Sequence, residues 1–382
     1  MTGAALPPDR TGVWHRRLGG QADPIAPAAD GPGMTVFWDE ARPVGHILIM
    51  PDGGKTVADP RDAAQSVPVK TPERVSASVV ICTRDRPDDI ARCLASLPLQ
   101  TRRADEVIVV DNASRDDRTR QAVIAAGATY VREERPGLDY ARNTGVTTAT
   151  GDLILFTDDD VLLDPCWIER MVAAFDSPEV GAVTGLVLPA ELAADSQFVF
   201  ERFWGFNHGY SRRDVTAAQF DRIRGRALFH AWDLGAGASM AFRRSVFAQI
   251  GLFDERLGAG RSGCSDDSEY WYRLLHHGWT CRYEPSIVGY HYHRADLAGL
   301  SHQIRQYMRG HVAALFIQYQ RTRRAGNLWR ALWFLPRDYA RRGVRHWLLR
   351  RGRAEDRFLR EEVSGFLSGF LFFAGNVREH RD

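Results

Sequence analysis

The sequence predicts an α/β fold built on a parallel sheet flanked by helices. Apolar runs typical of buried strands alternate with helix-spaced segments over about 90 residues, and several of those strands end directly in polar residues. With 44% hydrophobic and 26% charged residues, the composition excludes disordered, collagen-like and disulfide-dense proteins. A length of 382 residues indicates one large domain with appendages, or two domains.

The N-terminal part predicts a leader and a small β appendage. Residues 1–33 are rich in Pro, Gly, Ala and Asp and lack hydrophobic periodicity, which predicts a flexible leader. Met34–Trp38 and Gly45–Met50 have the composition of two short strands, and a Pro-Asp-Gly-Gly turn closes the second. Together with a linker, this appendage is expected to cover residues 34–74.

The central part, from Val75 onward, predicts alternating strands and helices. Its predicted strands are Ser76–Cys82, Glu106–Val110, a short one near Ala128–Val131, and Leu153–Thr157, with helices at Asp88–Leu97 and Arg118–Ala126. In such sheets, ligands bind beyond the carboxyl ends of the strands. Thr83, Asp111 and the cluster 158–160 all lie at such ends, and this coincidence indicates a functional site.

Three consecutive aspartates follow the last of these strands. Adjacent carboxylates repel one another and are costly to gather unless a cation neutralises them. In an extended segment, Asp158 and Asp160 point to one side, where they can hold one divalent metal, Mn²⁺ or Mg²⁺, while Asp159 points away. A solvated loop or a helix N-cap before Pro165 is the alternative interpretation.

A second acidic cluster lies about 107 residues further along the chain. Asp266, Asp267 and Glu269 follow a glycine-rich segment, which suits a catalytic carboxylate beside a closing lid and equally suits acids at a helix start. His291 follows a predicted strand over Ser286–Tyr290 and either completes a metal site or is structural.

Other segments have compositions suited to ligand contact. Arg142 and Asn143 follow a Pro-Gly turn and can reach an anionic ligand, or they can belong to an ordinary short helix. The glycines within 233–244 permit close backbone approach to a ligand. Four aromatic residues are candidates for lining a ligand pocket or for plain packing: Trp204, His230, Trp232 and Trp271.

The C-terminal region, residues 297–382, is predicted to be helical and is rich in Arg and Trp. Between Arg321 and Arg353 there are eleven arginines and a single acid, Asp338. Such a segment either binds an anionic membrane surface, which is the partner expected for residues 321–353, or packs on the core as a helical subdomain. The apolar run Val363–Gly375 is too short for a transmembrane span.

Cysteine content and charge predict the compartment and exclude some partners. The five cysteines form no C-x-x-C pair, so neither a disulfide framework nor a zinc site is expected. No signal-peptide pattern is present at the start of the sequence. We therefore expect a cytoplasmic protein, peripheral on the inner face of the plasma membrane. With a formal net charge of +2, nucleic acid is not an expected partner.

Six ordered motifs resemble those of family 2 glycosyltransferases with the GT-A fold, over about Val75 to His293. They are VVICTRDRP at 79–87, VIVVDNAS at 107–114, PGLDYARNTG at 136–145, ILFTDDD at 154–160, GASMAFRR at 237–244 and DDSEYWYRL at 266–274. The resemblance implies a Rossmann-like mixed sheet and a catalytic domain over residues 75–296. It departs from the family at Asp266, where a Glu is usual, and at Asp85, where an Asn is more frequent.

The resemblance also implies roles for individual residues. The residues implied to bind the donor nucleotide are Thr83, Asp85, Asp111, Arg142, Asn143, Asp158 and Asp159. The implied metal ligands are Asp158, Asp160 and His291, and the implied general base is Asp267. The candidates for the acceptor or pocket are Trp232, Asp266, Glu269 and Trp271. The Q-x-x-R-W motif of processive synthases is absent, which argues against a processive enzyme.

The implied function is an inverting, metal-dependent sugar transfer from a UDP-, GDP- or dTDP-linked donor. The acceptor hydroxyl would belong to a glycan, a lipid-linked or a small molecule, in cell-surface polysaccharide or glycoconjugate biosynthesis. A metal neutralises the charge growing on the leaving group, and one base with direct attack predicts inversion. The alternatives are a catalytically silent membrane-peripheral scaffold and a nucleotidyltransferase.

Overall fold

The computed structural model describes residues 6–18, 25–63, 75–223 and 225–379, and these form two β-sheets with surrounding helices. The strands are β1 (Val13–Arg17), β2 (Gly33–Asp39), β3 (Arg42–Ile49), β4 (Lys55–Ala58), β5 (Ala77–Thr83), β6 (Glu106–Asn112), β7 (Thr129–Glu133), β8 (Leu153–Asp158), β9 (Val161–Leu163), β10 (Val180–Pro189), β11 (Arg213–Val215), β12 (Ser239–Arg243) and β13 (Thr280–His291). The four predicted strands of the central part are confirmed within a few residues.

Twelve α-helices occur in the same residues. They are α1 (Pro87–Leu94), α2 (Arg118–Ala125), α3 (Leu138–Thr148), α4 (Trp167–Ala173), α5 (Asp195–Trp204), α6 (Ala217–Arg222), α7 (Arg244–Ile250), α8 (Asp266–His276), α9 (Leu297–Thr322), α10 (Ala325–Trp329), α11 (Leu335–Gly343) and α12 (Leu359–Glu379). Pro87 occupies the first turn of α1, where a missing N–H costs nothing, and acids follow it near the positive end of the helix dipole.

The large sheet is mixed and has the order β11-β13-β10-β12-β8-β5-β6-β7, with β9 paired to β13. The strands β8, β5, β6 and β7 run parallel, and β10 is parallel to β13, whereas β12 lies antiparallel between β8 and β10. Val79, Ile81 and Val109 face one apolar layer and Val80, Ile108 and Val110 face the other. This two-sided burial explains why the strands are continuous apolar runs. The predicted α/β fold with a mixed sheet flanked by helices is confirmed.

Helix α3 approaches the sheet closely because of a single glycine. A Cβ added at Gly145 would collide with the side chain of Val80 on β5. The close approach brings the start of α3 to the carboxyl ends of β5 and β6, which is the edge that carries the acidic residues.

The small sheet has the order β1-β2-β3-β4 and packs on the large one. Met34, Val36 and Trp38 share an apolar cluster with Leu186 and Leu188 of β10. The predicted appendage strands at 34–38 and 45–50 are confirmed as β2 and β3. The small sheet thus packs on one end of the large sheet, and the two sheets share an apolar core.

The predicted flexible leader is wrong for Val13–Arg17, which forms β1 and pairs in parallel with β2. Val13 and His15 are buried, and the indole N–H of Trp38 donates to Nδ1 of His15 over 2.9 Å. The alternation is only five residues long and lies among Gly, Pro and Ala, so the composition concealed it. Residues 1–5 and 19–24 of the predicted leader, and 64–74 of the predicted linker, lie outside the described residues.

The C-terminal region is helical, as the sequence predicts. Helices α9 and α12 pack along one another, and Val312, Leu335 and Phe366 lie in one apolar cluster. From Ala325 to Leu348 the backbone is continuously helical, with π-helical turns at Arg330–Phe334 and Val344–Leu348. Among helices of the described ranges, none is both long and apolar enough to cross a bilayer.

Candidate active site

Strand register brings the predicted acidic residues to one edge of the large sheet. Thr83 of β5 pairs with Asp111 of β6, and Cys82 pairs with Asp158 of β8. The chain then turns into the short strand β9, where Val161 pairs with His291 at the end of β13. Segments more than 100 residues apart therefore meet beyond the carboxyl ends of the parallel strands, as expected for this class of sheet.

Asp158, Asp160 and His291 form a candidate metal centre at this edge. Each offers one ligand atom, and the three atoms lie within 4.8 Å of one another. Nε2 of His291 is 3.2 Å from Oδ1 of Asp160. Two ligands of an octahedral ion bound at about 2.1 Å lie about 3 Å apart, so this pair fits an ion of the size of Mg²⁺ or Mn²⁺.

The electrostatics of the cluster also fit a cation. Burial raises the pKa of Asp158, and the charges of Asp160 and Asp267 raise it further. Burial and the neighbouring Asp160 raise the pKa of Asp159 to about 7. For Asp160, burial is outweighed by His291 and Arg86, which hold its pKa well below the usual range. For Asp158 and Asp159, burial therefore opposes the ionised form, which a cation bound at the cluster would favour.

Arg86 and Thr83 organise this cluster, and the role of Arg86 was missed from the sequence. Nη1 of Arg86 donates to Oδ1 of Asp159 at 2.9 Å and to Oδ2 of Asp160 at 2.7 Å. The hydroxyl of Thr83 donates to Oδ2 of Asp159 at 2.7 Å. The signal was the position of Arg86 at the N-cap of α1, directly after the strand that ends at the site. Asp159 is therefore buried and engaged, and does not point to solvent.

A chain of two histidines and a glutamate leads away from the candidate metal centre. Nδ1 of His291 lies 2.9 Å from Nδ1 of His293, and Nε2 of His293 lies 3.1 Å from Oε2 of Glu201 on α5. A carboxylate accepts the proton of Nε2 of His293, so Nδ1 of His293 accepts from Nδ1–H of His291. Nε2 of neutral His291 then offers a lone pair to a metal, whereas its 3.2 Å hydrogen bond to Asp160 requires a proton on Nε2 as well, and hence a cationic His291. Glu201 was not singled out from the sequence as a site residue.

Asp267, the predicted general base, begins α8 and is held by its neighbours. Its Oδ2 accepts from the backbone N–H of Gly237 at 2.9 Å, and its Oδ1 accepts from the backbone N–H of Ser268 at 2.6 Å. A Cβ at position 237 would lie 3.1 Å from Oδ2 of Asp267, so this approach is tight for any other residue. The predicted close backbone approach in segment 233–244 is therefore made to Asp267.

Arg142 and Asp266 form a buried ion pair behind Asp267. Nη1 of Arg142 contacts Oδ2 of Asp266 and lies 3.6 Å from Oδ1 of Asp139. Both oxygens of Asp139 are buried and lack a hydrogen-bond partner, and burial raises the pKa of Asp139 well above its usual range. Arg142 and Asp266 thus fix the start of α8, instead of presenting free groups to a ligand.

Asn143, implied to contact the nucleotide, is bonded to the backbone of Phe253. Its amide group donates to the carbonyl of Phe253 at 3.1 Å, and its oxygen accepts from the N–H of Phe253 at 2.9 Å. Both ends of the buried amide are thus occupied by one backbone segment. The signal for this role lies 110 residues away in the chain, which local sequence cannot reveal.

Asp85 and Asp111 lie near the site with their carboxylates occupied. Asp85 accepts from the backbone and side chain of Arg115, and these hydrogen bonds lower its pKa. Asp111 is fully buried and accepts from Tyr130 at 2.8 Å and from the N–H of Ser114 at 3.0 Å. An open surface cavity of about 310 Å³ beside them is lined by Ser114, Arg115, Asp116, Asp117, Arg120, Tyr130 and Arg132.

Two of the predicted pocket residues are parts of the core. Trp271 is fully buried within the apolar layer that contains Phe242 and Tyr270. Glu269 is buried in ion pairs with Arg273 at 3.1 Å and Arg321 at 3.3 Å. Both residues lie on sides of helix α8 that pack against the rest of the protein, so neither side chain is exposed to solvent.

The other aromatic candidates contact the C-terminal helices. Trp232 stacks on His230 with ring centroids 4.7 Å apart, and the guanidinium of Arg330 lies 4.8 Å from the Trp232 ring centre. Trp204 makes an edge contact with Phe358 at 5.4 Å. Trp232 and Trp204 are half-buried, so part of each ring faces solvent.

The glycine-rich segment before α8 is packed between two elements. The carbonyl of Ala259 accepts from the N–H of Leu138 at 2.9 Å, at the start of α3. On the other side, Sγ of Cys264 donates to the carbonyl of Tyr307 on α9 at 3.3 Å. A Cβ added at Gly310 of α9 would collide with the backbone of Cys264, so the two segments approach closely. Helix α9 therefore supports the segment that leads into Asp267, a contact that the sequence did not predict.

Comparison with known proteins finds similarity to glycosyltransferases. The pattern of the family described as "Glycosyl transferase family 2" matches residues 78–251. A glucosyl-dolichyl phosphate glucuronosyltransferase of Haloferax volcanii is 29% identical over 191 residues, which are 48% of this chain and 58% of that protein. A pre-mycofactocin glycosyltransferase of Mycobacterium tuberculosis is 26% identical over 280 residues, covering 72% and 53%. The chain thus spans about half the length of these curated relatives.

Among solved structures, a mannosyltransferase of Pyrobaculum calidifontis, in complex with GDP-Man and Mn²⁺, has a similar fold. The TM-score is 0.55 at 20% sequence identity, over 82% of this chain and 91% of that one. The fold is accordingly of the GT-A type that the motifs implied. Residues 78–251, a little under half of the chain, thus resemble glycosyltransferase family 2.

Proposed function

We propose that the protein is an inverting, metal-dependent glycosyltransferase that uses a nucleotide-diphosphate sugar. The observation that carries this proposal is the meeting of Asp158, Asp160 and His291 within 4.8 Å at the sheet edge. The negative charge of Asp267, which belongs to a separate element, raises the pKa of Asp158. A second carboxylate therefore lies close to this centre. The GDP-Man and Mn²⁺ of the structural neighbour, and the sugar transfer named for the relatives, support the same reading.

In this mechanism the residues divide the work between two ends of the site. A bound Mn²⁺ or Mg²⁺ would supply positive charge to the leaving diphosphate. At the other end, Asp267 takes the proton of the acceptor hydroxyl as its oxygen attacks the anomeric carbon, and the bond to the diphosphate breaks. Gly237 and Ser268 hold the Asp267 carboxylate in one orientation. Attack from the side opposite the leaving group inverts the configuration.

The proposal extends to donor, acceptor and compartment. The donor carries UDP, GDP or dTDP, and the acceptor is a hydroxyl of a glycan, a lipid-linked or a small molecule in cell-surface glycoconjugate synthesis. We place the protein in the cytoplasm, at the inner face of the plasma membrane. All five cysteines are free, which agrees with a reducing compartment. A catalytically silent scaffold would have no need to keep the carboxylates of both clusters.

The proposal predicts nucleotide-selective, metal-dependent stabilisation of the purified protein. We expect one of the three nucleotides UDP, GDP and dTDP to raise Tm by on the order of 5 °C in the presence of Mn²⁺. This holds when the nucleotide is at a hundredfold excess over its own Kd, because ligand binding to the native state stabilises it. The measurement is a thermal melt of each nucleotide with and without Mn²⁺. The same melts on the Asp160→Asn variant should show no metal-dependent rise. No rise with any nucleotide in the parent protein would overturn the proposal.

The histidine chain predicts that Glu201 controls metal affinity without touching the metal. In Glu201→Gln, the amide N–H can donate to Nε2 of His293. Nδ1 of His293 then carries the proton and donates to Nδ1 of His291. The proton of His291 therefore moves to Nε2, where it occupies the lone pair that a metal needs. Loss of such outer partners costs about 10–100-fold in metal affinity. Electron paramagnetic resonance of free Mn²⁺ in a titration measures this directly.

The matched control for this prediction is Glu191→Gln. Glu191 accepts from Gln197, which lies on helix α5 as Glu201 does. In the bonds described above, Glu191 contacts neither histidine. Its Mn²⁺ affinity should equal that of the parent. Equal affinity for Glu201→Gln and the parent would show that the histidine chain does not set the state of His291.

A further inference from the structure

The helical segment from Ala325 to Leu348 exposes a face of large apolar and basic side chains. Positions 333, 337, 341, 344 and 348 recur every three or four residues, so they lie along one side of a helix. We name the exposed residues on this side the arginine–tryptophan face. Its members are Trp333, Arg337, Arg341, Val344, Trp347 and Leu348.

The opposite side of the same segment already supplies the packing that the fold needs. Ala331, Leu335 and Tyr339 are buried against α9 and α12 in one apolar cluster. Arg342 on this side bonds Asp356 and Glu362 at 2.9 and 2.6 Å. The arginine–tryptophan face is therefore not part of this core, and its large apolar groups remain in contact with water.

The exposure of these side chains is large. Trp333 and Trp347 are each 52% exposed and Leu348 is 75% exposed. Single exposed apolar residues are ordinary, but several on one face of one helix mark an interaction surface. Tryptophan is the side chain most enriched at the boundary between lipid tails and headgroups, since its ring is apolar and its N–H is polar.

The charge of this region selects the partner. Residues 321–353 hold eleven arginines and one aspartate. Four of these arginines pair with acids outside the segment, namely Arg321, Arg324, Arg342 and Arg345. Arg337 and Arg341 lie on the exposed face itself, and Arg350 and Arg351 follow it at the surface. Guanidinium groups beside half-exposed tryptophans match a layer of phosphate headgroups above an apolar interior.

We propose that the arginine–tryptophan face docks on the surface of an anionic phospholipid bilayer. The helix lies in the plane of the headgroups, with Trp333, Trp347 and Leu348 entering the lipid layer and Arg337 and Arg341 on phosphates. Docking depends on the apolar groups and the charges together, so it weakens at high salt and on neutral lipid.

A residue next to the arginine–tryptophan face in the sequence contacts the segment that leads to the candidate active site. Arg330, one turn before Trp333, places its guanidinium 4.8 Å from the ring centre of Trp232. Five residues after Trp232, the N–H of Gly237 holds Asp267. On the basis of the proposed function, this arrangement favours an acceptor that is itself held at the lipid surface.

The test is co-sedimentation of the full chain with vesicles, without nucleotide or metal. The protein should bind vesicles of equal parts phosphatidylglycerol and phosphatidylcholine at least tenfold more tightly than phosphatidylcholine alone. The double variant Trp347→Ser/Leu348→Ser should lose at least tenfold in this partitioning, and Arg337→Ala/Arg341→Ala should lose the preference for anionic lipid. Far-ultraviolet circular dichroism and Tm check that both variants remain folded.

The matched control is Leu99→Ser/Ile124→Ser, which removes two apolar side chains that are 68% and 58% exposed on the catalytic domain. It should bind vesicles like the parent protein. The proposal is overturned if the parent protein binds neither vesicle, if it binds both equally, or if the control loses as much as the tryptophan variant. Since no donor is present, each of these outcomes leaves the proposed transferase activity untouched.

Discussion

Replacement of Asp267 by Asn is expected to lower sugar transfer by about 10²–10⁴-fold, the range typical of a lost general base. The amide keeps the shape of the side chain, but its single oxygen can accept from only one of the N–H groups of Gly237 and Ser268, which donate to different oxygens of Asp267. It cannot take a proton from the acceptor hydroxyl. The loss should therefore appear in kcat, measured by release of nucleoside diphosphate with the donor that the thermal melts identify.

Binding measurements separate a lost base from a damaged fold. The Asp267→Asn variant should keep its metal-dependent stabilisation by nucleotide, because the metal cluster is left intact, and its Tm should fall by no more than the loss of one of the two hydrogen bonds to Asp267 allows. Asp233→Asn, an exposed aspartate on the segment that leads to Gly237, serves as the matched control and should keep full activity. If Asp267→Asn retained more than a tenth of the parent kcat, the base would have to be another group.

The strands and their polar ends could be predicted from sequence because both signals are local. Buried strands such as β5 and β6 are continuous apolar runs, and the aspartates follow β8 directly. The fold then places strand ends together by a general rule of parallel sheets. This is why the meeting of Asp158, Asp160 and His291 was predictable even though His291 is 131 residues from Asp160.

The partners of buried polar groups could not be predicted in the same way. Asn143 and Arg142 are residue types that often bind ligands. Their partners in this structure lie on segments more than 100 residues away. Glu201 and His293 are 92 residues apart and belong to no local motif. Whether a polar side chain serves a ligand or the fold depends on these distant partners, so the sequence identified the location of the site better than the roles within it.

Removal of either aspartate of the metal cluster is expected to abolish Mn²⁺ binding, with opposite effects on the stability of the metal-free protein. Asp158→Asn removes a buried negative charge whose pKa is raised by burial and by neighbouring carboxylates. A carboxyl with a raised pKa in the folded state reduces stability above its ordinary pKa, so at neutral pH this variant should melt at the parent temperature or higher.

Asp160→Asn should instead destabilise the metal-free protein. Burial raises the pKa of Asp160, but His291 and Arg86 outweigh it and hold the pKa well below the usual range. A lowered pKa means that the ionised form stabilises the fold above the ordinary pKa and that this contribution is lost as the pH falls through the folded pKa. Removing one member of a buried ion pair costs on the order of 3–5 kcal/mol.

The two variants together test whether the cluster is a metal site or a structural network. Mn²⁺ affinity, titrated by electron paramagnetic resonance, should fall in both by more than the roughly 10–100-fold expected for the outer partner Glu201. Asp164→Asn, a buried aspartate just beyond β9 and outside the cluster, should bind Mn²⁺ like the parent protein. A purely structural network would lower stability in Asp160→Asn with Mn²⁺ affinity equal in all variants. A metal centre requires that Asp158→Asn lose the metal while the fold keeps its stability, because only a bound cation gives the protein a reason to retain a carboxylate that destabilises it.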